Sequence, residues 1–138
     1  MEDKEVFNSY FDMRFLDSER EVSIEIPLDP EPEEKEVTQT AAFKIKAMFP
    51  KDRTTVDLIV SRKIGGVPRS SCSADQLYRL ERDAWINVAV VESPPWWKSP
   101  SDCPSEDFLD RLFQRIYEHN QDFQEKLKKN RLPARESK

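Results

Sequence analysis

The strongest constraint on the fold is a long amphipathic pattern in the last third of the chain. Its apolar residues recur at spacings of three and four, which places them on one face of an α-helix. They are Phe108, Leu109, Leu112, Phe113, Ile116, Tyr117, Phe123 and Leu127. Ser105 can cap the first turn, where Glu106 and Asp107 suit the positive end of the helix dipole. Because a stripe this wide must be buried, the rest of the chain has to supply a covering layer.

A second helix is predicted near the middle of the chain. Asp52 can act as its N-cap, and Val56 and Val60 lie one turn apart on the face to be buried. Gly65 and Gly66 are the only two glycines in the chain, and they follow where a helix end calls for a left-handed residue. We therefore expect this helix to end at the glycine pair.

A third helix is predicted between the other two. Ser73 begins a capping box with Gln76. Apolar residues then continue along one face at Leu77, Leu80, Ala84, Val88 and Val91. Residues 85–91 are rich in β-branched side chains and could form a strand instead. We expect a helix across 73–91, because the cap and the stripe continue without a break.

Two strands are predicted before the helices. Residues 22–26 alternate apolar with polar side chains, and residues 42–49 repeat this alternation with Phe43 and Ile45 on one face. Residues 29–40 combine proline with like charge, which predicts a mobile loop. A lone hairpin is unstable in water and must pack on something. The prediction is an α+β fold with an N-terminal β-hairpin packed on a three-helix domain, in the order β-β-α-α-α.

Length and charge divide the chain into three regions of one domain. The 138 residues suffice for one hydrophobic core. Residues 1–50 are predicted to form an acidic N-terminal arm and the strand pair, residues 51–130 the three-helix region, and residues 131–138 a flexible basic tail. Residues 1–36 carry 13 acids and 4 bases, whereas residues 126–138 carry six bases and one acid. Such ends can dock on charged partners or keep the protein from aggregating.

The side chains that enzymes need are scarce in this sequence. His119 is the only histidine, and it lies at the edge of the apolar stripe, where a boundary or surface position is expected. Cys72 precedes a helix N-terminus, but the sequence offers it no partner base. Cys72 and Cys103 are too few for a disulfide framework or a metal site, and the glycine pair matches no phosphate-binding motif. We therefore expect no catalysis, no cofactor and no bound metal.

The sequence carries no membrane or export signal. Its N-terminus lacks the basic and apolar regions of a signal peptide, and no apolar run approaches the roughly 20 residues that cross a bilayer. Two cysteines fit a reducing compartment. We expect a cytoplasmic protein.

The most unusual local feature is the run of two prolines and two tryptophans at 94–97, within the proline-rich segment 93–104. Tryptophan buries a large area and is frequent at binding hot spots. Alternatively, one indole fills the gap between the helix at 73–91 and the last helix. With aromatic residues of the last helix and of the acidic arm, this run gives the predicted protein-binding residues. They are Pro94, Pro95, Trp96, Trp97, Phe108, Phe113, Tyr117, Phe7 and Phe11.

From about residue 43 to residue 130, the chain resembles the short tail-assembly and tail-associated proteins of tailed bacteriophages. The resemblance rests on a short strand, the helix at 53–64, the break at 65–68, the helix at 73–91, the segment 92–97 and the opening of the last helix at 103–109. It implies a protein of the infected host cytoplasm that shields a tape-measure protein before the tail tube polymerises. The acidic arm departs from such a chaperone. It leaves open a permanent role in the tail, neck or baseplate of the virion.

The sequence thus predicts a non-enzymatic protein that binds other proteins, with phage tail components as expected partners and with oligomerisation left open. The alternative from another class is a small nucleic-acid-associated regulator that uses the basic C-terminal region, whose binding would weaken steeply with salt. We expect nucleic acid not to be the partner, because residues 126–138 contain no aromatic side chain on which bases could stack.

Overall fold

The computed structural model describes residues 13–28 and 39–129 of the chain. Within these ranges the regular elements are α1 Met13–Glu19, β1 Glu21–Pro27, β2 Thr40–Lys46, α2 Pro50–Lys63, α3 Ala74–Ala89, β3 Val90–Glu92 and α4 Glu106–Lys129. Single 3-10 turns lie at Arg69–Ser71 and Pro100–Asp102. The predicted α+β class, with a β-hairpin followed by three long helices, is confirmed.

Three predictions fall on parts of the chain outside the described residues. They concern the acidic arm with Phe7 and Phe11, residues 29–38 of the predicted loop, and the tail at 131–138.

The three strands form one antiparallel sheet in the order β1-β2-β3. β1 and β2 pair along their whole length, with Ile24 opposite Phe43 and Ile26 opposite Ala41. These four side chains are buried, because alternation along each strand turns every second residue toward the helices. Lys44 lies on the other face, where it pairs with Glu21 at 3.5 Å.

Strand β2 begins at the last residue of the predicted loop at 29–40. Thr40 already belongs to β2, and the N–H of Leu28 donates to the carbonyl of Gln39 at 2.8 Å. The hydrogen-bond ladder reaches Thr40 because the alternating side-chain pattern of β2 already begins there, after the proline-rich, charged segment. β2 also ends earlier than predicted, at Lys46, where the backbone turns toward α2.

α2 begins before the predicted N-cap. Its first residue is Pro50 and its cap residue is Phe49, so Asp52 occupies the first turn rather than the cap. The carboxylate of Asp52 still satisfies a helix-end donor, because it accepts the N–H of Phe49 at 2.8 Å. Gly65 and Gly66 have φ angles of 62° and 86°, which confirms the predicted left-handed end of the helix.

α3 begins as predicted but ends two residues early. Ser73 Oγ accepts the predicted capping hydrogen bond from a first-turn N–H at 3.0 Å. The helix then ends at Ala89, so the prediction of a helix across 73–91 is wrong for its last two residues. Val90 instead pairs with Ile45 in β3, because a β-branched segment meets the open edge of β2 there.

The buried face of α3 differs from the predicted stripe. Its buried apolar residues are Ala84, Trp85, Ile86 and Ala89, whereas Leu77, Leu80 and Val88 are half-buried and Val91 is exposed. Val91 fails as a core residue because the strand alternation turns it away from the helices. The second half of α3 therefore supplies most of what this helix adds to the core.

α4 is capped as predicted and lies beneath the sheet and α3. Ser105 Oγ accepts the N–H of Phe108 at 3.0 Å. The helix buries Phe108, Leu109, Leu112, Ile116, Asn120 and Phe123. Phe123 forms a small cluster with Leu16 of α1 and Ala47, apart from the main core. None of the helices in the described ranges combines the length and apolar character that a membrane span requires.

Candidate functional site

The segment 93–104, called here the tryptophan loop, is fixed to the core by one indole and presents the other to solvent. The Trp97 ring meets Phe43 edge to face at 5.1 Å and lies 6.3 Å from Phe108. Trp96 is 56% exposed, with its ring 6.3 Å from that of Trp97. The backbone N–H of Trp97 donates to the carbonyl of Pro94 at 3.0 Å, which closes a turn. The alternative that one indole fills a gap holds for Trp97, but the gap lies between β2 and α4.

A groove of about 350 Å³ runs beside the two indoles. Its walls are Trp96, Trp97, Lys98, Ser99, Asp102, Cys103 and Pro104. The walls combine aromatic and aliphatic surface with one charge of each sign. Such a groove can hold an apolar side chain while its rim binds polar groups.

A second aromatic surface, the aromatic strip, lies between α3 and α4 and consists of Tyr78, Trp85, Phe113 and Tyr117. The Phe113 ring lies 6.1 Å from Tyr78, 5.6 Å from Trp85 and 6.3 Å from Tyr117. Tyr78 and Tyr117, at its ends, are 42% and 43% exposed. Arg53 of α2 lies over the Trp85 ring at 5.1 Å.

The predicted protein-binding residues divide between surface and core. Trp96, Pro95 and Tyr117 are exposed, and Pro94, Trp97 and Phe113 are half-buried. Phe108 is 4% exposed, so it supports the loop from inside rather than meeting a partner. Tyr78 and Trp85 were missed, although their separation of seven residues places them two turns apart on one side of α3.

A buried acid, Asp52, joins the sheet to α2. Asp52 Oδ2 accepts Arg20 Nη2 at 2.7 Å, and Lys46 Nζ lies 3.6 Å from Oδ1. Burial raises the pKa of Asp52, but the Phe49 N–H and the charges of Lys46 and Arg20 outweigh burial, so the pKa lies below its ordinary value. Asp52, Arg20 and Lys46 are called here the Asp52 cluster.

A buried base, Arg82, joins α3 to α4. It is 2% exposed, and its Nε lies 2.9 Å from Asp83, while Nη1 lies 2.8 Å from Glu106 and 3.0 Å from Asp110. Burial lowers the pKa of Arg82, but hydrogen bonds to the three carboxylates outweigh burial and raise it above its ordinary value. Arg82 and its three acids are called here the Arg82 cluster.

His119 and two arginines of α4 bind the backbone of β1 and of the residue before it. Arg115 Nη1 donates to the carbonyl of Glu25 at 3.3 Å, and Arg111 donates to the carbonyl of Pro27. His119 Nε2 lies 2.7 Å from the carbonyl of Arg20. Since a carbonyl only accepts, this nitrogen carries the hydrogen. The three side chains are spaced four residues apart on α4. Arg111 and Arg115 cover carbonyls of an edge strand that could otherwise pair with another chain, whereas the carbonyl that His119 meets precedes β1 and also accepts the N–H of Ala47.

The two cysteines have ordinary surroundings. Both are half-buried and free, with Cys72 Sγ 3.9 Å from the carbonyl of Pro68 and Cys103 Sγ 3.6 Å from that of Ser105. Among the residues that the structure describes, no three His, Cys, Asp or Glu side chains are grouped so that they could hold a metal ion.

The chain matches no protein-family model, and no curated protein and no solved structure is significantly similar to it. The likeness to phage tail proteins stays a hypothesis.

Proposed function

We propose that this chain is a non-catalytic protein-binding protein that engages its partner through the tryptophan loop. The observation that carries the proposal is the contrast between adjacent indoles. Trp97 packs against Phe43 and Phe108, whereas Trp96 stays 56% exposed beside the groove. A large aromatic side chain held outward by an anchored neighbour suits a partner contact.

Anchoring favours binding because less freedom is lost when the complex forms. The loop is restrained by the Trp97 packing, by the turn at Pro94 and by the hydrogen bond of 3.2 Å between Ser99 Oγ and Asp102. An exposed indole on such a loop gains buried area at little ordering cost. The groove beside it suits one apolar side chain of the partner.

The polar groups of the described residues support a binding role over a catalytic one. Asp52 and Arg82 each hold packed elements together, and the only histidine binds a backbone carbonyl. Groups committed in this way stabilise the fold and are not free to move protons at a substrate.

The setting we propose is phage tail assembly in the host cytoplasm, with a tape-measure protein as the client. Its support is the sequence resemblance across residues 43–130, in which the segment 92–97 is a shared feature. A permanent position in the virion is the alternative within the same class, and it would use the same loop.

The test compares Trp96→Ala with Leu58→Ala in full-length protein. Leu58 is 58% exposed on α2, so its truncation removes a similarly exposed apolar side chain from a surface away from the loop. Each variant is co-expressed with the tape-measure protein of the same phage, and the complex is quantified after purification. We expect Trp96→Ala to reduce complex recovery at least about tenfold, the scale of an interface hot spot, and Leu58→Ala to leave it unchanged.

Three outcomes separate the versions of this proposal. Equal recovery with both variants would show that the loop is not the binding site. Stoichiometric amounts of the chain in purified virions would replace the chaperone role with a structural one. Salt-sensitive binding to duplex or single-stranded nucleic acid, with no protein complex, would favour the regulator instead.

A further inference from the structure

We propose that the chain forms a two-fold symmetric dimer in which the α4 helices of two copies lie antiparallel, with Tyr117 at the axis. This inference concerns a surface apart from the tryptophan loop and does not depend on the function proposed above. The surface, called here the α4 seam, runs along one side of α4 and contains Glu106, Asp110, Tyr117, Gln124 and Lys128.

The spacing along α4 places the seam residues in one row. Steps of four, seven, seven and four residues keep side chains on the same side of a helix with 3.6 residues per turn. Tyr117 stands at the middle of the row and close to the middle of Glu106–Lys129. It is 43% exposed and forms the end of the aromatic strip. The centre of the seam is thus aromatic and partly open to solvent.

Charge is distributed with opposite sign on the two sides of Tyr117. The side toward the start of α4 belongs to the Arg82 cluster, in which three carboxylates surround one guanidinium and leave an excess of negative charge. Glu106 and Asp110 keep 64% and 49% of their side-chain surface exposed. These acids can therefore meet a second cation without losing Arg82.

Along the seam itself, the side toward the end of α4 carries basic side chains, and the acids of that half of the helix lie outside the row, at Glu118, Asp122 and Glu125. Lys128 is exposed there, and Arg53 of α2 lines a cleft of about 480 Å³ together with Gln121 and Gln124. Arg53 lies over Trp85, and among the described residues neither Arg53 nor Lys128 is within ion-pair distance of a carboxylate. Both cations are thus placed to accept an acidic partner.

A charge pattern that changes sign about an apolar centre is complementary to a reversed copy of itself. A two-fold axis at Tyr117 would place Glu106 of one copy against Lys128 of the other. It would also place Asp110 against Gln124, beside Arg53. A parallel arrangement would instead bring like charges together, which costs free energy. Isologous contacts of this kind use one surface on both copies, and this seam has the required symmetry.

The sharpest test is zero-length crosslinking of carboxylates to lysines in the full chain. Glu106 and Lys128 lie on one continuous helix, separated by roughly 33 Å at 1.5 Å per residue, so they cannot be coupled within one copy. We expect a Glu106–Lys128 crosslinked peptide in the dimer band. Tyr117→Glu should remove it although both reactive groups remain, and Leu58→Glu, on an exposed site of α2, should not.

Sedimentation equilibrium gives an independent measure of the same contact. We expect dimer for the parent chain, and Arg53→Glu should weaken it at least about tenfold, because a like charge then faces Asp110. Arg62→Glu makes the same charge change on an exposed part of α2 and should leave the dimer unchanged. Circular dichroism checks whether each variant folds, and Arg53→Glu keeps the test valid if Tyr117→Glu does not fold.

Three results would overturn the proposal. One is a parent chain that remains a monomer at its highest soluble concentration, even if the seam then proves to bind a different protein. Another is a dimer that neither Tyr117→Glu nor Arg53→Glu weakens. The third is a dimer without the Glu106–Lys128 crosslink.

Discussion

Each of the two clusters neutralises one buried charge, which is a carboxylate in the Asp52 cluster and a guanidinium in the Arg82 cluster. In the Asp52 cluster, one carboxylate that is 6% exposed is held by two bases, and it ties the end of the sheet to α2. In the Arg82 cluster, one guanidinium that is 2% exposed is held by three acids, and it ties α3 to α4. Each central charge has lost its water, so its partners must replace that hydration.

The difference lies in what each cluster leaves at the surface. Two bases on one acid leave a small positive excess, and the bases keep only 22% and 25% of their side chains exposed. Three acids on one base leave a larger negative excess on side chains that are half-exposed or more at Glu106 and Asp110. The Asp52 cluster is therefore mainly structural, whereas the Arg82 cluster joins α3 to α4 and also leaves negative charge exposed, which is the charge that the proposed dimer would use.

The largest expected effect comes from removing the centre of the Arg82 cluster. Arg82→Met keeps an unbranched apolar stem but leaves three carboxylates without their base. Loss of one partner from a buried ion pair costs about 3–5 kcal/mol, and solvent reaches Glu106 and Asp110, so we expect about 3 kcal/mol of lost unfolding free energy. Urea unfolding at neutral pH measures the change.

Arg79→Met is the matched control for this substitution. Arg79 is exposed on the same helix and pairs with Asp75 at 3.3 Å, one turn away. We expect a loss of about 0.5 kcal/mol or less, as for other exposed pairs. If the two substitutions cost the same, burial of Arg82 is not what makes its cluster important.

An intermediate effect is expected at the centre of the Asp52 cluster. Asp52→Asn keeps an oxygen that can accept the Phe49 N–H but removes the charge that pairs with Arg20. We expect a loss of about 1.5 kcal/mol at pH 7, the scale of one charge-assisted hydrogen bond. Asp57→Asn, on an exposed site of α2, is the control and should cost far less.

The same pair of variants tests the pH dependence. Because the pKa of Asp52 is lowered in the folded state, the unfolded chain binds this proton more tightly. The stabilisation is present above the ordinary carboxyl pKa of 3.8 and is lost as the pH falls through the lower folded value. The stability difference between parent and Asp52→Asn should therefore shrink below about pH 4. A difference that stays constant down to pH 2 would show that the charge of Asp52 is not stabilising.

The sequence was sufficient for several helix ends that one or two turns of backbone decide, although it placed the N-cap of α2 at Asp52 instead of Phe49. The caps at Ser73 and Ser105 and the left-handed end at Gly65 need only neighbouring residues, and all three were predicted. Contacts between distant residues were not predicted. Val90 leaves its helix because the edge of β2 is open to it, and no local pattern contains that information.

In the candidate site, too, local features were predicted and contacts between distant residues were not. Trp96 and Trp97 were recognised from an unusual local run, but which of them is exposed depends on Phe43, more than 50 residues earlier. Phe108 was predicted to bind a partner because it lies on an apolar stripe, and a stripe does not show which part is already covered. Arg82 was missed because its three acids come together only when α3 and α4 pack.

The smallest expected effect concerns the rim of the Arg82 cluster. The Tyr78 hydroxyl donates to Asp110 Oδ1 at 2.8 Å. Burial, together with the hydrogen bond to Asp110 and its charge, raises the pKa of Tyr78 above its ordinary value of 10.0. The neutral phenol is thus favoured in the folded state. The contribution of Tyr78 to the free energy of unfolding is therefore present below pH 10 and is lost as the pH rises further.

Tyr78→Phe removes only that hydroxyl and leaves the ring against Phe113. We expect a loss of about 0.5 kcal/mol at pH 7, because the side chain is half-exposed and water can take over the hydrogen bond. The difference between the alkaline absorbance titrations of the parent and the variant should show a phenol that ionises later than an exposed tyrosine. A loss as large as that of Arg82→Met would mean that the Tyr78 hydroxyl at the rim matters as much as Arg82 for holding α3 against α4. The distinction between a buried centre and a solvent-facing rim would then be wrong.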